Sequence, residues 1–372
     1  MYVVPYLMAV PGSPLSPHAL GVELTDERTI IHFGSAFGGN AVLGKIAHGL
    51  RLASYDGWRS GEFLTEQFML LGIEDTVTGK TRHVVGGFPS ASGKTNLAIE
   101  AIRPGTGTIF TNVAYNELTE EVWWEGRTPA PPADVTGWRD WTGELIAERP
   151  ADRKDAPWAH PNSRFTTTLA NVTSLAPDAG DAAGVPVDLV IFGGRTRDRE
   201  PLTRVVDGSA AGVYDGLPLG AEATFAAEGV DGRLRYDPMS MRPFLSYPEG
   251  RYAQHWLDVL GRVTEPPTFA HVNWFQREPE TGRYLWPGFR ENLRVLLWLL
   301  AYREGSVSGT QTPVGVVPTA GELDLTGLDI PDADLATLLS INPERWEAEM
   351  RSRTAHLDAF SGLPDEVWQG PP

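Results

Sequence analysis

A chain of 372 residues, 41% hydrophobic and 10% aromatic, has enough material for one large α/β domain or two ordinary ones with a substantial core. Its 48 acidic against 31 basic residues give a formal net charge of -17, which argues against a protein whose main business is gripping nucleic acid or an anionic membrane; phosphate is left to a few local cations. The absence of cysteine excludes disulfides, thiolate metal sites and a cysteine nucleophile.

The opening MYVVPYLMAV is apolar, lacks a basic leader and is broken by Pro5, so it reads as a strand rather than a signal peptide. The longest apolar run, 295–302, is too short to span a bilayer, and a cytoplasmic protein is expected. Strands are expected near 21–24 and at 29–33. The second runs into a small-residue loop, GSAFGGN, and the segment beyond it has helical spacing at Val42, Leu43, Ile46, Leu50 and Leu52. Such a loop ahead of a helix is a candidate anion site, with Gly38 and Gly39 in the loop and Lys45 on the first turns. A glycine loop packed on a neighbour is the alternative.

The stretch VVGGFPSASGKTNL, residues 84–97, carries the strongest local signal. An apolar strand end meets two glycines and a small-residue loop, and Gly93-Lys94-Thr95 opens a helix. Backbone N–H groups and a helix N-terminus then converge on an anion. In the usual G-x-x-x-x-G-K-[ST] pattern, Lys94 reaches the terminal phosphates and Thr95 holds a nucleotide-bound Mg²⁺; here Phe88 stands at the first glycine. A glycine turn followed by a chance Gly-Lys-Thr is the competing explanation.

A strand is expected at 108–113, then a Pro-, Trp- and acid-rich tract of loops and short edge strands at 117–155. In His160-Pro161-Asn162-Ser163-Arg164-Phe165, arginine beside asparagine suits a carboxylate clamp, although a plain surface arginine is commoner. VDLVIFGG, 187–194, reads as a buried central strand whose end exposes Arg195 and Arg197. AEATFAAEG, closing at Gly229, suits a mobile lid. Asn273-Trp274-Phe275 and GRYLWPGFREN, 282–292, place several rings around Pro287-Gly288, a geometry able to hold a flat base. Helices are expected at 293–302 and about 343–360.

Taken in order, the segments YVVPYLMAVPGSPLS, FGSAFGGNAVLGK, LLGI, FPSASGKTNL, IFTNVA, HPNSRF, VIFGGR, DPMSMRPF, HVNWF, YLWPGF and TPVGVVP are similar to those of GTP-type phosphoenolpyruvate carboxykinase. The resemblance implies an α/β fold: a mixed-sheet catalytic lobe with a P-loop over 76–372, and a much reduced N-terminal lobe with the glycine loop over 1–75. It implies interconversion of oxaloacetate and phosphoenolpyruvate, through decarboxylation to an enolate that takes the nucleotide γ-phosphoryl group. By the same resemblance, Ser90, Ser92, Gly93, Lys94, Thr95 and Asn96 form the phosphate cradle, with Thr95 facing a metal only when nucleotide brings one. Arg164 and Asn162 clamp the substrate carboxylate, with Gly38 and Gly39 beside it, and Lys45 adjoins the transferred group. Arg195 faces the phosphates, Phe275, Tyr284, Phe289 and Asn292 form the guanine pocket, and residues 226–229 belong to the lid.

The departures are as telling. Where the family's glycine loop ends in two lysines, the second a Mn²⁺ ligand, this chain has Lys45-Ile46; the family's metal-binding histidine corresponds to Gln67; its Asp-Asp motif after the P-loop helix is missing; its loop cysteine is Ser92; and the tyrosine of its glycine loop is Phe37. Losing the ligands of the catalytic metal cripples phosphoryl transfer, whereas decarboxylation asks only for an oriented carboxylate and cations around the developing enolate. The expectation is a lyase acting by decarboxylation or elimination on a small phospho- or phosphono-carboxylic acid, with Lys45, Lys94, Arg164 and Arg195 as its catalytic cations. It calls for no resident cofactor and for no nucleic-acid or membrane partner. A residual GTP-dependent carboxykinase using Mg²⁺ or Mn²⁺, and a nucleotide-binding pseudoenzyme, are the alternatives.

Overall fold

The computed structural model describes residues 2–3, 20–33, 40–89, 92, 94, 97, 107–125, 127–128, 130–161, 163–222, 234–288 and 290–368. In chain order the elements begin with β1 (Tyr2–Val3), β2 (Leu20–Leu24), β3 (Thr29–Phe33), α1 (Ala41–Ser60), β4 (Met69–Asp75), β5 (Lys80–Gly87), β6 (Ile109–Thr111) and β7 (Ala114–Asn116). Next come β8 (Val122–Trp123), β9 (Trp138–Arg139), β10 (Arg164–Thr166), β11 (Leu189–Gly193), β12 (Thr203–Val206), α2 (Ser209–Gly216), β13 (Gly220–Glu222) and β14 (Leu234–Tyr236). The remainder holds α3 (Glu249–Leu260), β15 (Thr268–Val272), α4 (Asn292–Arg303), β16 (Thr310–Thr312), β17 (Gly315–Val317), α5 (Asp332–Leu339), α6 (Pro343–Leu357) and α7 (Asp365–Trp368). Two compact units emerge, Met1–Ala53 with Ala101–Leu175, and Ser54–Glu100 with Ala176–Pro372; the division falls inside α1.

In the first unit β1, β3 and β2 form a small sheet, and β6 pairs antiparallel with β10. The strand expected at 108–113 is confined to β6, because Asn112 takes a left-handed backbone with φ of 59° that ends it; β7 begins beyond the expected stretch. The acid- and tryptophan-rich tract does consist of loops and short strands, and it has its own core. Trp158 lies 5.8 Å from Trp123 and 5.7 Å from Trp138, ring to ring, with Ala114 and Ile146 closing the cluster.

The second unit is built on a seven-stranded mixed sheet in the order β16-β17-β12-β15-β11-β5-β4. The middle strands β5, β11 and β15 run parallel, and the strands outside them are antiparallel. The apolar run read as a central strand is β11, whose residues are all buried between two parallel neighbours. Register pairs Phe192 with Gly87 and Gly193 with Val272, so the three parallel strands end side by side at one edge. Trp286, Trp298, Leu296 and Leu299 pack with sheet residues in the main core. Helix α6 starts where expected: Asn342 caps it by accepting the Arg345 N–H at 3.0 Å, with Pro343 in the first turn.

Behind this sheet lies a buried ion network. Arg204 on β12 donates to Glu200 at 2.9 Å and to Asp215, and Arg353 on α6 donates to Glu349 at 3.1 Å, to Asp215 at 3.0 Å and to Glu200. The ring of Trp346 faces both guanidinium groups at 5.1 Å. Burial alone would raise the pKa of Asp215, but Arg204, His271 and Arg353 beside it hold it well below the usual carboxylate range. Among the described residues no helix is long and apolar enough to cross a membrane.

Candidate functional site

In an open sheet with parallel central strands, ligands bind outside the carboxyl ends of those strands. The segments leaving these ends are Phe88-Pro89 after β5, Gly194-Arg195 after β11 and Asn273-Trp274-Phe275 after β15. Phe88, at the position where the phosphate-loop pattern has glycine, is 1% exposed. Its ring packs against the backbone of two glycines, one on β5, which it follows, and one on β11: a Cβ on Gly193 would meet it at 1.8 Å, and one on Gly86 at 2.7 Å. Two glycines thus make room for the aromatic that replaced one. The Phe88 carbonyl accepts the Ser240 hydroxyl at 2.8 Å. Ser240 and Met239 both hold left-handed backbones, φ 63° and 48°, an uncommon state for non-glycine residues that the surrounding packing enforces.

Beyond Pro89 the chain turns, with the Ser92 N–H donating to the Pro89 carbonyl at 3.1 Å, and Lys94 and Leu97 are helical, as the strand-loop-helix reading requires. Ser92 is buried, and its hydroxyl has no partner among the described residues. Ser90, Gly93, Thr95 and Asn96 lie outside the described residues.

Lys94 is the best-defined charge of the site. Its ammonium donates to the Gln67 backbone carbonyl at 3.0 Å and to the Gln67 side-chain oxygen at 3.2 Å. An ammonium has three donors, and among the described residues these two bonds use two of them, which leaves the third for a ligand. Burial lowers its pKa to about 8, with the Asp237 charge opposing the drop. Burial in turn raises Asp237, against hydrogen bonding from the Arg242 backbone and nearby arginines. Gln67 is itself fixed, its N–H resting on the Met241 sulfur at 3.0 Å. Next to it Glu66 keeps some exposed surface, but its carboxyl is enclosed, accepting from the buried Tyr252 hydroxyl at 2.7 Å and the Trp256 indole at 3.0 Å. Burial raises its pKa to about 8 against those bonds, so it is largely protonated at neutral pH.

Arg195 is half-buried, and its guanidinium donates to the Glu222 carbonyl; the exposed Arg197 pairs with the Glu222 carboxylate at 2.8 Å. Glu222 is the last described residue before the expected lid, which lies outside the description with residues 226–229. In the expected base pocket Phe275 and Tyr284 do come together, centroids 6.2 Å apart, but their planes stand at 71°. Arg277 lies over the Tyr284 ring at 4.3 Å and donates to its hydroxyl at 2.5 Å. The Asn292 side-chain oxygen accepts the Trp286 indole N–H at 2.9 Å. Phe289 lies outside the described residues.

Within the first unit, Asn40 closes the second glycine loop and donates to the Thr111 hydroxyl at 2.7 Å, which in turn donates to the Arg164 carbonyl at 3.3 Å. The start of α1 is thereby tied to the strand that carries the exposed Arg164. Gly38, Gly39, Asn162 and the Lys45 side chain lie outside the description. Sequence reasoning missed Asp237, Ser240 and Asn273 as site residues, although DPMSMRPF and HVNWF contain all three. Nothing in periodicity marks them, because their role is to hold other loops.

Among the described residues, one group of acidic and histidine side chains is close enough to share a metal ion: Glu200, Asp215 and His271. Arg204 and Arg353 already neutralise it, which disfavours a further cation.

Comparison with known proteins follows the same lines. Residues 63–107 and 99–370 match the family described as phosphoenolpyruvate carboxykinase C-terminal P-loop domain, and 22–58 match the phosphoenolpyruvate carboxykinase N-terminal domain. The chain is 35% identical to phosphoenolpyruvate carboxykinase [GTP] of Renibacterium salmoninarum, over 96% of this chain and 68% of the relative. It is 34% identical to the protein of that name from Chlamydia muridarum, again over 96% and 68%, and 34% identical to that of Neocallimastix frontalis, over 92% and 64%.

Proposed function

The chain belongs to the GTP-type phosphoenolpyruvate carboxykinase family, and from that premise we propose that it is a lyase working without the family's catalytic Mn²⁺ site, on a small phospho- or phosphono-carboxylic acid. The observation that carries this reading is the seat of Lys94: Gln67, which stands at the family's histidine ligand, offers both its oxygens to an ammonium. A carboxamide oxygen is a poor substitute for imidazole on Mn²⁺ and a good acceptor for Lys94. The residues present do not suit the divalent ion, so the reaction is assigned to the chain's own cations.

In this reading the P-loop residues Ser90 to Asn96 and Arg195 bind the substrate's phosphorus oxyanion. The bond from the carboxyl carbon breaks and CO₂ leaves. Its electron pair moves onto a carbonyl β to the carboxylate, forming an enolate that Lys94 stabilises before carbon takes up a proton. The one ammonium donor left on Lys94 serves that developing charge.

The juxtaposition of Phe275 and Tyr284 favours a second reading, GTP-dependent carboxykinase chemistry with Mg²⁺ or Mn²⁺. Calorimetric titration separates the two. The lyase reading expects no micromolar GTP binding, with or without Mn²⁺, because Arg277 covers Tyr284 and Trp286 engages Asn292. Tight, Mn²⁺-dependent GTP binding supports the second reading and removes the first.

A further inference from the structure

A primary carboxamide is the one neutral side chain that offers two donors and a two-electron-pair acceptor in a fixed plane. Asn273, fully buried where the chain leaves β15, uses all of them. Its Nδ2 donates to the Thr196 carbonyl at 2.9 Å, the Thr196 hydroxyl at 3.1 Å and the Glu200 carbonyl at 3.2 Å. Its Oδ1 accepts the Thr196 N–H at 3.4 Å and the Phe275 N–H at 3.2 Å. The loop bound on one side follows β11 and carries Arg195; the residue bound on the other is the aromatic of the expected base pocket. A second amide, Gln276, donates to the same Glu200 carbonyl at 2.5 Å but reaches neither Thr196 nor Phe275 among its hydrogen bonds described.

We infer that Asn273 is a positioning residue, whose carboxamide locks the Arg195 loop to the backbone of Phe275 and so holds the anion-facing arginine in its binding position. The inference rests on the reading of Arg195 as an anion-binding residue. Loss of the donor half is the informative lesion: in Asn273→Asp an oxygen faces the Thr196 and Glu200 carbonyls, which repel it, while the shape of the side chain is kept. The loop then shifts, and Arg195 with it.

The test is calorimetric titration of inorganic pyrophosphate into the full chain, its Asn273→Asp variant and its Gln276→Leu variant, with melting midpoints measured in parallel. Both variants lose a buried hydrogen bond to the same loop and melt earlier, but only Asn273→Asp weakens pyrophosphate binding, by about tenfold or more. Unchanged affinity in Asn273→Asp overturns the inference, as does an equal loss in Gln276→Leu, which makes the effect one of general destabilisation. Where Asn273→Asp does not fold, Asn273→Ser, smaller and able to admit a water, is judged by the same criterion. Failure of the unaltered chain to bind pyrophosphate overturns the anion-site reading itself, and the inference with it.

Discussion

Replacing Lys94 with alanine lowers kcat/KM for the carboxylic-acid substrate by about 100-fold or more and raises KM, because it deletes the cation that meets both substrate anion and developing enolate. The loss is not one of folding alone: the ammonium bonds Gln67, whose oxygens are left facing a space that water can enter. A pH profile gives the same residue a second signature. With a pKa of about 8, Lys94 is mostly charged below that pH and mostly neutral above it, so activity falls as pH rises through about 8. Glu66, which precedes Gln67 in the chain, gains negative charge in the same range and does not reverse the sign. Unchanged kinetics in Lys94→Ala, or activity that rises above pH 8, removes Lys94 from the chemistry.

Arg353→Met destabilises the second unit by about 3–5 kcal/mol, the usual cost of stripping one partner from a buried ion network. Arg353 is 2% exposed and bonds Glu200, Asp215 and Glu349 at once. Without it three buried carboxylates share the remaining arginines, Arg204 and the partly exposed Arg199. A thermal or urea melt followed by tryptophan fluorescence checks this, and adding Glu200→Gln to Arg353→Met recovers part of the loss by removing one orphaned charge. A variant as stable as the parent shows that the network contributes nothing net.

Strong local patterns are legible in the amino-acid sequence. The apolar run of β11, the strand-glycine-loop-helix course from β5 to Lys94, and the helices α1, α4 and α6 follow from spacing, because each is a single element whose burial repeats along the chain. The order of short motifs then fixed the family. What spacing does not carry is pairing between distant segments. The match between Phe88 and Gly193 joins residues 105 positions apart by a flat ring on a bare backbone, and neither position stands out alone. Gln67 is marked in the sequence only as the counterpart of a histidine ligand, and nothing there shows that it seats Lys94; the left-handed turn at Met239-Ser240 has no glycine to announce it. The division between β6 and β7 at Asn112 is equally silent, since asparagine accepts a left-handed backbone without demanding one.

The chemistry hangs on whether the Lys94–Gln67 pair has replaced a metal. The most direct measurement is ³¹P NMR of three-carbon phospho- and phosphono-acids incubated with the protein in EDTA and without nucleotide, with CO₂ release followed in parallel. The lyase account predicts that one of these acids is converted to a decarboxylated or eliminated product under those conditions. No turnover until GTP and Mn²⁺ are supplied, followed by conversion of oxaloacetate to phosphoenolpyruvate, contradicts it.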